Sequence, residues 1–363
     1  MLAISLFTMS VSAPFAVGDL REFGDWVVGC DNNRACHATS LPEERPDASS
    51  EGPIGDGNLS VSIKTKPEPG SAPVIQLALV GEADPRAAER IAGIAIDDTS
   101  LDIPISGSNG QVLLDAMASQ LIVDAARTAS KIALVDDQGQ DIAAASLRGW
   151  RAAASYIDAE QYRTDTRDAL AAPGTRQWDY SIVPPMPPRP VIVVDPSPPQ
   201  SPFTLPDDDL GALHAMDPCQ EYTQGSSKEK PQFFRLDATH TLLILPTSCG
   251  GYNPLRMPFI IDASGHARAA EFWPYPGNKM ESPPDLADLG WNENERRLVS
   301  FARGRGLADC GETSEYVWVG GKFKLVHFAS IYPCRGSYDY ITTYRLEVRQ
   351  SSGATQSGPG TAE

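Results

Sequence analysis

A proline-rich segment constrains the fold of this chain more than any other sequence feature. Residues 168–209 contain 11 of the 31 prolines in the 363-residue sequence. Proline fixes its own φ, lacks an amide donor and pushes the preceding residue towards extended backbone. The run at residues 183–190 therefore favours polyproline II, and we expect a stiff spacer between two folded units.

The two flanking regions differ in their hydrophobic patterning. Residues 19–167 mix short apolar strands with helical spacing, whereas residues 210–350 are typical of a meander of about eight strands. The predicted fold is an α+β N-terminal domain followed by a mostly antiparallel, all-β C-terminal domain. Residues 351–363, rich in Ser, Gly and Thr, are expected to form a disordered tail.

Two apolar repeats with three- to four-residue spacing predict helices in the first unit. The first repeat consists of Val112, Leu113, Met117, Leu121 and Ala125. The second consists of Leu147, Trp150, Ala154 and Ile157, with Ser146 as the candidate N-cap.

The start of the chain resembles a secretory signal. Residues 1–18 carry no charged side chain and are mostly apolar or small, with Ala13 or Ala16 near a candidate cleavage site. The alternative is a buried N-terminal strand. No later run of 18 apolar residues follows, so we predict a periplasmic or secreted protein with no membrane span.

The six cysteines indicate disulfide staples rather than a metal or redox site. Their number is even, and no Cys-x-x-Cys spacing occurs. Six cysteines allow 15 pairings, and locality with hairpin geometry favours three of them. The predicted pairs are Cys30–Cys36, Cys219–Cys249 and Cys310–Cys334. A redox-active Cys30–Cys36 pair is the functional alternative.

The net charge of −17 restricts the class of partner. Nucleic acids and anionic membranes need a basic face, so neither is expected as a partner. A basic protein or a cell-envelope component fits the charge better.

Motifs with known chemistry are missing from the sequence. The five histidines form no His-Glu-x-x-His pattern, and neither a nucleophile elbow nor a P-loop occurs. Residues 136–141 resemble part of a calcium loop but lack its closing glutamate, which favours a simple turn. We therefore assign no catalytic residue, no cofactor and no metal ligand.

Residues 303–310, named here the arginine segment, form the first candidate ligand site. Arg303 and Arg305 lie on a glycine-rich stretch that ends at a cysteine, and Arg335 follows in the same region. Guanidinium groups bind carboxylates or phosphates at two points, which would suit an anionic ligand. The alternative is internal ion pairing with neighbours such as Asp309 and Glu312.

An aromatic cluster is the second candidate site. Trp273 and Tyr275 lie in a short Pro- and Gly-containing stretch. If the two rings are exposed, they would suit a glycan or a protein partner. If they are buried, they belong to the core of the β domain.

Several motifs resemble an uncharacterised family of exported bacterial proteins, catalogued only as a domain of unknown function. They are FGDWVVGC at residues 23–30, LRGW at 147–150, LGWN at 289–292, LVSFARGRGLADC at 298–310 and EYVW at 315–318. The resemblance covers most of residues 20–348. Residues 20–165 also resemble the invasion-associated locus B proteins. These likenesses imply export, disulfides and two domains, but no catalytic set.

Three functional hypotheses follow from the sequence. The first is an exported, non-enzymatic binding or interaction protein. The second is an inhibitor or immunity protein against a cell-wall hydrolase, since the acidic charge complements basic lysozymes. The third is an enzyme or an anion-binding site built on Arg303 and Arg305.

Overall fold

A computed structural model describes residues 17–42, 58–80, 86–104, 107–108, 110–185, 189–196, 198, 200–217, 219, 229–273 and 286–351. The predictions for the signal-like segment up to residue 16, for the tail beyond Ser351 and for Tyr275 lie outside the described residues.

The described fold is mostly β. Its strands are β1 (Arg21–Phe23), β2 (Trp26–Cys30), β3 (Cys36–Ser40), β4 (Asn58–Thr65), β5 (Val74–Val80), β6 (Gly93–Ile96), β7 (Thr99–Leu101), β8 (Gly107–Ser108), β9 (Gln111–Leu113), β10 (Lys131–Val135), β11 (Asp141–Ser146), β12 (Val191–Val194), β13 (Gln232–Arg235), β14 (His240–Pro246), β15 (Leu255–Asp262), β16 (Ala267–Ala269), β17 (Phe272–Trp273), β18 (Leu286–Ala287), β19 (Gly290–Asn292), β20 (Arg297–Arg303), β21 (Gly311–Val319), β22 (Lys322–Ile331), β23 (Ile341–Arg345) and β24 (Glu347–Gln350). Its helices are α1 (Ala116–Ala126), α2 (Trp150–Glu160) and α3 (Asp207–His214), with a 3₁₀ turn at Ala88–Arg90. None of the described helices is able to cross a membrane as an apolar span.

The first half of the chain builds an 11-stranded sheet from β1 to β11. Its inner face holds the larger core, in which the rings of Trp26 and Trp150 lie 4.9 Å apart. Helices form at both predicted places and contribute to this core, but Val112 and Leu113 of the first repeat lie in β9 and not in α1. The predicted N-cap of α2 is wrong, because Ser146 is the last residue of β11. The N-cap is Gly149, whose backbone is in the left-handed region. A Cβ at Gly149 would collide with the Phe23 carbonyl.

The apolar repeat that predicts α1 does not mark its buried face. Met117 is 74% and Leu121 49% exposed, whereas Ala118, Ile122 and Val123 are buried. The repeat and the buried residues lie one position apart along the helix. Ala118, Ile122 and Val123 therefore pack into the core, whereas Met117 and Leu121 face solvent.

The second half of the chain forms two further sheets, one five-stranded and one six-stranded. Gly320 and Gly321, both with positive φ, close the tight hairpin between β21 and β22, as the sequence predicts. Most strand pairs are antiparallel, and the described residues carry α3, which the sequence analysis did not predict. The division into an α+β and an all-β domain stays a prediction.

The proline-rich segment contacts both halves of the protein. At its start, Leu170 and Ala171 are buried in the core of the first sheet. In its middle, β12 pairs in parallel with β24 at the end of the chain. Near its end, Leu205 packs with Met257 and its neighbours. Part of the expected spacer is therefore built into the fold, and the domain boundaries stay predictions.

The three predicted disulfides are confirmed. Cys30–Cys36 closes the β2–β3 hairpin, in which the two residues face each other across the strands. Cys219–Cys249 and Cys310–Cys334 span 30 and 24 residues, respectively. Each bridge links parts of one half, so the contact between the halves depends on packing and hydrogen bonds.

Candidate functional site

The two halves meet on the outer face of the first sheet. Val27 and Leu41 form a small buried apolar cluster with Cys310, Ile331 and Ile341 of the second half. The loop at residues 332–340, between β22 and β23, lies beside this cluster. Among the described residues, the second half thereby packs over β2 and β3.

A cleft of about 320 Å³ lies where this cover ends. We call it the junction cleft, and its floor comes from β4, β5 and β9 while its wall comes from the 332–340 loop. The described lining residues are Ser60, Ser62, Gln76, Ala78, Leu79, Val80, Gln111, Tyr338 and Asp339.

The floor of the cleft follows from strand alternation. In β4, Leu59, Val61 and Ile63 point into the core, so Ser60 and Ser62 point outward. The register pairs Ser62 with Gln76 and Ala78 with Gln111, which keeps these side chains on one face. The outward positions of the three strands are Asn58, Ser60, Ser62, Lys64, Val74, Gln76, Ala78, Val80, Gln111 and Leu113. This face carries no acidic residue, although the protein has 47 of them.

Three polar side chains meet at the wall of the cleft. His37 Nε2 lies 2.8 Å from Ser62 Oγ and 2.7 Å from Asp339 Oδ2. His37 and Ser62 are buried, and the Asp339 side chain is 24% exposed. Burial alone raises the pKa of Asp339, but hydrogen bonds from His37 and Ser62 outweigh it and lower the pKa overall. Asp339 is therefore a stable carboxylate at neutral pH.

This set lacks the geometry of a catalytic triad. In a triad, the carboxylate holds one imidazole nitrogen while the other nitrogen accepts the proton of the serine. Here Ser62 and Asp339 both contact Nε2 of His37. A proton taken from Ser62 would have to enter the nitrogen that already faces the carboxylate. The arrangement positions polar groups but does not activate the serine as a nucleophile.

The arginines predicted as ligand-binding residues are engaged within the protein. Arg305 makes a two-point hydrogen bond to the buried Asp309, with Nε 2.6 Å from Oδ1. Arg303 donates to the Tyr252 carbonyl at 2.6 Å and to Asp288 Oδ2 at 3.1 Å. An anionic ligand at either arginine would have to compete with these contacts.

Arg335 joins the two halves of the chain. Its guanidinium donates to the carbonyls of Pro42 and Gly24 and lies 2.7 Å from Asp25 Oδ1. Asp25 is fully buried and also accepts a two-point hydrogen bond from Arg148. Burial raises the pKa of Asp25, but the hydrogen bonds from Arg148 and Arg335 lower it further than burial raises it.

The predicted aromatic site is described only at Trp273, whose side chain in β17 is 42% exposed. A different aromatic group borders the junction cleft. Tyr338 is 51% and Tyr332 44% exposed, and both lie near the more buried Tyr340. Burial, Tyr332 and Asp309 raise the pKa of Tyr340 to about 12, and Tyr338 adds to this effect. The structure thus places Tyr338, rather than the predicted Trp–Tyr pair, in the wall of the cleft.

One described cluster combines side chains of the kind that ligate metals. Asp217, Cys219 and Cys249 bring their ligand atoms within 4.8 Å of one another. The two cysteines are joined as a disulfide, so neither offers the thiolate that a metal binds. Asp217 accepts the backbone amides of Cys219 and Ser248, which accounts for its position.

Comparison with known proteins identifies the family. Residues 20–347 match the family described as "Protein of unknown function (DUF1176)". The chain belongs to this family. It is also 25% identical over 350 residues to the "Uncharacterized protein YpfG" of Escherichia coli (strain K12), covering 90% of this chain and 92% of that protein. No solved structure matches.

The family membership confirms the resemblance to an uncharacterised family that the motifs indicate. The comparisons do not show the resemblance to the invasion-associated locus B proteins, which stays a prediction.

Sequence reasoning missed the residues of the junction cleft. His37 and Asp339 are 302 residues apart, and no local pattern links them. One signal was available: the alternation at residues 59–63 places only small hydroxyl groups on the outer face of a strand. These two uncharged polar positions lie in a strongly acidic protein, and the next outward residue of the strand is Lys64.

Proposed function

We propose that this protein is an exported binding protein without catalytic activity of its own, and that it holds a polar ligand in the junction cleft. The observation that carries the proposal is the His37–Ser62–Asp339 set. It presents a carboxylate at a cleft of small-molecule size, and the shared imidazole nitrogen does not activate the serine. Three disulfides favour an oxidising compartment outside the cytoplasm.

Polar complementarity supports binding at the cleft. The serine and glutamine side chains of the floor can each donate and accept hydrogen bonds. The floor is part of a broad sheet with a packed core behind it, so these groups are held in fixed positions. Pre-organised polar groups lose little entropy when a ligand arrives, which favours affinity.

The test is ligand-induced stabilisation of the purified protein. Thermal unfolding is followed with a panel of neutral saccharides, amines, dicarboxylates and dipeptides, because a ligand that binds only the folded state raises its melting temperature. We expect one class to stabilise the wild-type protein, and to do so less in Asp339→Asn and Ser62→Ala. Arg303→Ala, away from the cleft lining, is the matched control.

Two results would overturn the proposal. The first is that no class of compound raises the melting temperature, or that the two cleft variants show the same increase as the wild type. The second is conversion of the bound compound, at a rate that Ser62→Ala abolishes, because the set would then be catalytic.

The net charge favours a second candidate, an inhibitor of a basic cell-wall hydrolase. With 47 acidic and 30 basic residues, the protein would attract a cationic enzyme at low salt. The expected result is inhibition of lysozyme at micromolar protein and low ionic strength, weakening as salt is added. Full lysozyme activity under these conditions removes this candidate.

A further inference from the structure

We infer that the ligand of the junction cleft is a saccharide, with one ring in the cleft and an adjoining ring over the half-exposed Tyr338. This inference rests on the proposed function, since it names the ligand class of the same site.

The lining chemistry favours neutral hydroxyl-rich ligands. A sugar hydroxyl both donates and accepts, and so do the side chains of Ser60, Ser62, Gln76 and Gln111. Gln76 and Gln111 lie on adjacent strands, where Gln76 Nε2 donates to Gln111 Oε1 at 3.4 Å, which orients both amides and leaves Gln76 Oε1 and Gln111 Nε2 for a ligand.

Charged ligands fit the cleft less well. The described lining contains no Lys or Arg, and its carboxylate Asp339 would repel an anion. A cation would find only Asp339, whose Oδ2 already accepts from His37. The outward face of the floor adds no acidic residue, and its single cation, Lys64, interacts with Asp339 and helps to lower the pKa of that carboxyl. A neutral ligand avoids both difficulties, and its hydroxyls would still hydrogen-bond to the carboxylate.

The tyrosines supply the apolar part of the recognition. A sugar ring has a C–H face that packs on an aromatic ring, while its hydroxyls remain free for polar groups. Tyr338 is half-exposed on the cleft wall, and Tyr332 is half-exposed in the same loop. The cleft volume of about 320 Å³ is at the lower end for small-molecule sites, which suits about one or two rings.

Titration calorimetry of the full protein tests the inference. The probes are trimers of N-acetylglucosamine, glucose and xylose, with succinate and cadaverine as the anionic and cationic comparisons. We expect at least one trimer to bind, and Tyr338→Ala to weaken it by about tenfold. Tyr338→Phe keeps the ring and is expected to stay within about threefold of the wild type. Both substitutions are at a half-exposed position, and circular dichroism checks that the variants fold.

The other outcomes separate this inference from the proposed function. If succinate or cadaverine binds and the trimers do not, with Asp339→Asn weakening the binding, the saccharide is excluded and the proposed function stands. If no probe binds in a way that depends on Ser62 or Asp339, the saccharide inference fails, and the proposed function fails with it when the dipeptides of the stabilisation panel are also without effect. If a trimer binds but only Trp273→Ala weakens it, the saccharide site lies at Trp273, and the inference for the cleft is overturned.

Discussion

The arginine segment and the junction cleft both lie near the meeting of the two halves, but their polar groups are used in opposite ways. In the arginine segment, charged groups pair with each other: Arg305 with the buried Asp309, and Arg303 with Asp288. In the cleft, the polar groups are mostly uncharged and line open space. The difference shows that clustered charges can satisfy one another inside the fold, whereas uncharged polar groups at a cleft keep hydrogen-bonding capacity for a ligand.

The largest effect is expected from removing the bridge that closes the arginine segment. Cys310 and Cys334 lie 24 residues apart, and the lost constraint on the unfolded chain corresponds to about 3.5 kcal/mol in the entropy model. The double variant Cys310→Ser/Cys334→Ser should therefore lower the free energy of unfolding by about this amount. Denaturant titration measures it, and an unchanged midpoint would show that the segment is held by its ion pairs alone.

The buried ion pair should come next. Asp309→Asn leaves the Arg305 guanidinium, whose side chain is 18% exposed, without its carboxylate, and we expect a loss of about 3 kcal/mol. Asp288→Asn is the matched control at a more exposed pair, with an expected loss of about 1 kcal/mol or less. Equal losses in the two variants would contradict the larger contribution expected from the buried Arg305–Asp309 pair.

Acid should destabilise the protein through its paired carboxylates. Asp309, Asp25 and Asp237 all have lowered pKa values in the folded state, and that of Asp237 is about 2. At Asp237, burial raises the pKa, and hydrogen bonds from Trp318 and the Thr239 amide outweigh it. A lowered folded pKa gives stability that is present above the unfolded value near 4 and is lost as the pH falls through the folded value.

The expected free energy of unfolding therefore falls steeply between about pH 4 and pH 2. Denaturant titration at several pH values measures the slope. Because the Asp309→Asn variant lacks one of the contributing carboxylates, its free energy of unfolding should depend less steeply on pH. An identical slope would mean that the segment's ion pair does not contribute to acid unfolding.

The smallest effect concerns ligand binding by the arginine segment. Because Arg303 is outside the described cleft lining, Arg303→Ala should change the affinity of a cleft ligand by less than about twofold. Calorimetry on Arg303→Ala and on Asp339→Asn with the same ligand compares the two affinities directly. A larger loss in Arg303→Ala than in Asp339→Asn would return the arginine segment to first place as the ligand site.

Local features of the fold were predictable from sequence. The pairing of Cys30 with Cys36 and the hairpin at Gly320-Gly321 each depend on a few neighbouring residues, so turn chemistry was sufficient. The position of α1 was predictable, but its buried face was not. Which side of a helix is covered depends on what packs against it, and here the core side carries Ala118, Ile122 and Val123.

The sequence by itself determined the staples, the tight hairpins and the acidic balance of this protein, because each depends on composition or on residues close along the chain. Only the tertiary structure decided where the proposed ligand site lies. His37, Ser62 and Asp339 meet because the 332–340 loop packs over the outer face of a sheet formed by the first half. That contact depends on strand register and shape over some 300 residues, and no short sequence pattern encodes it.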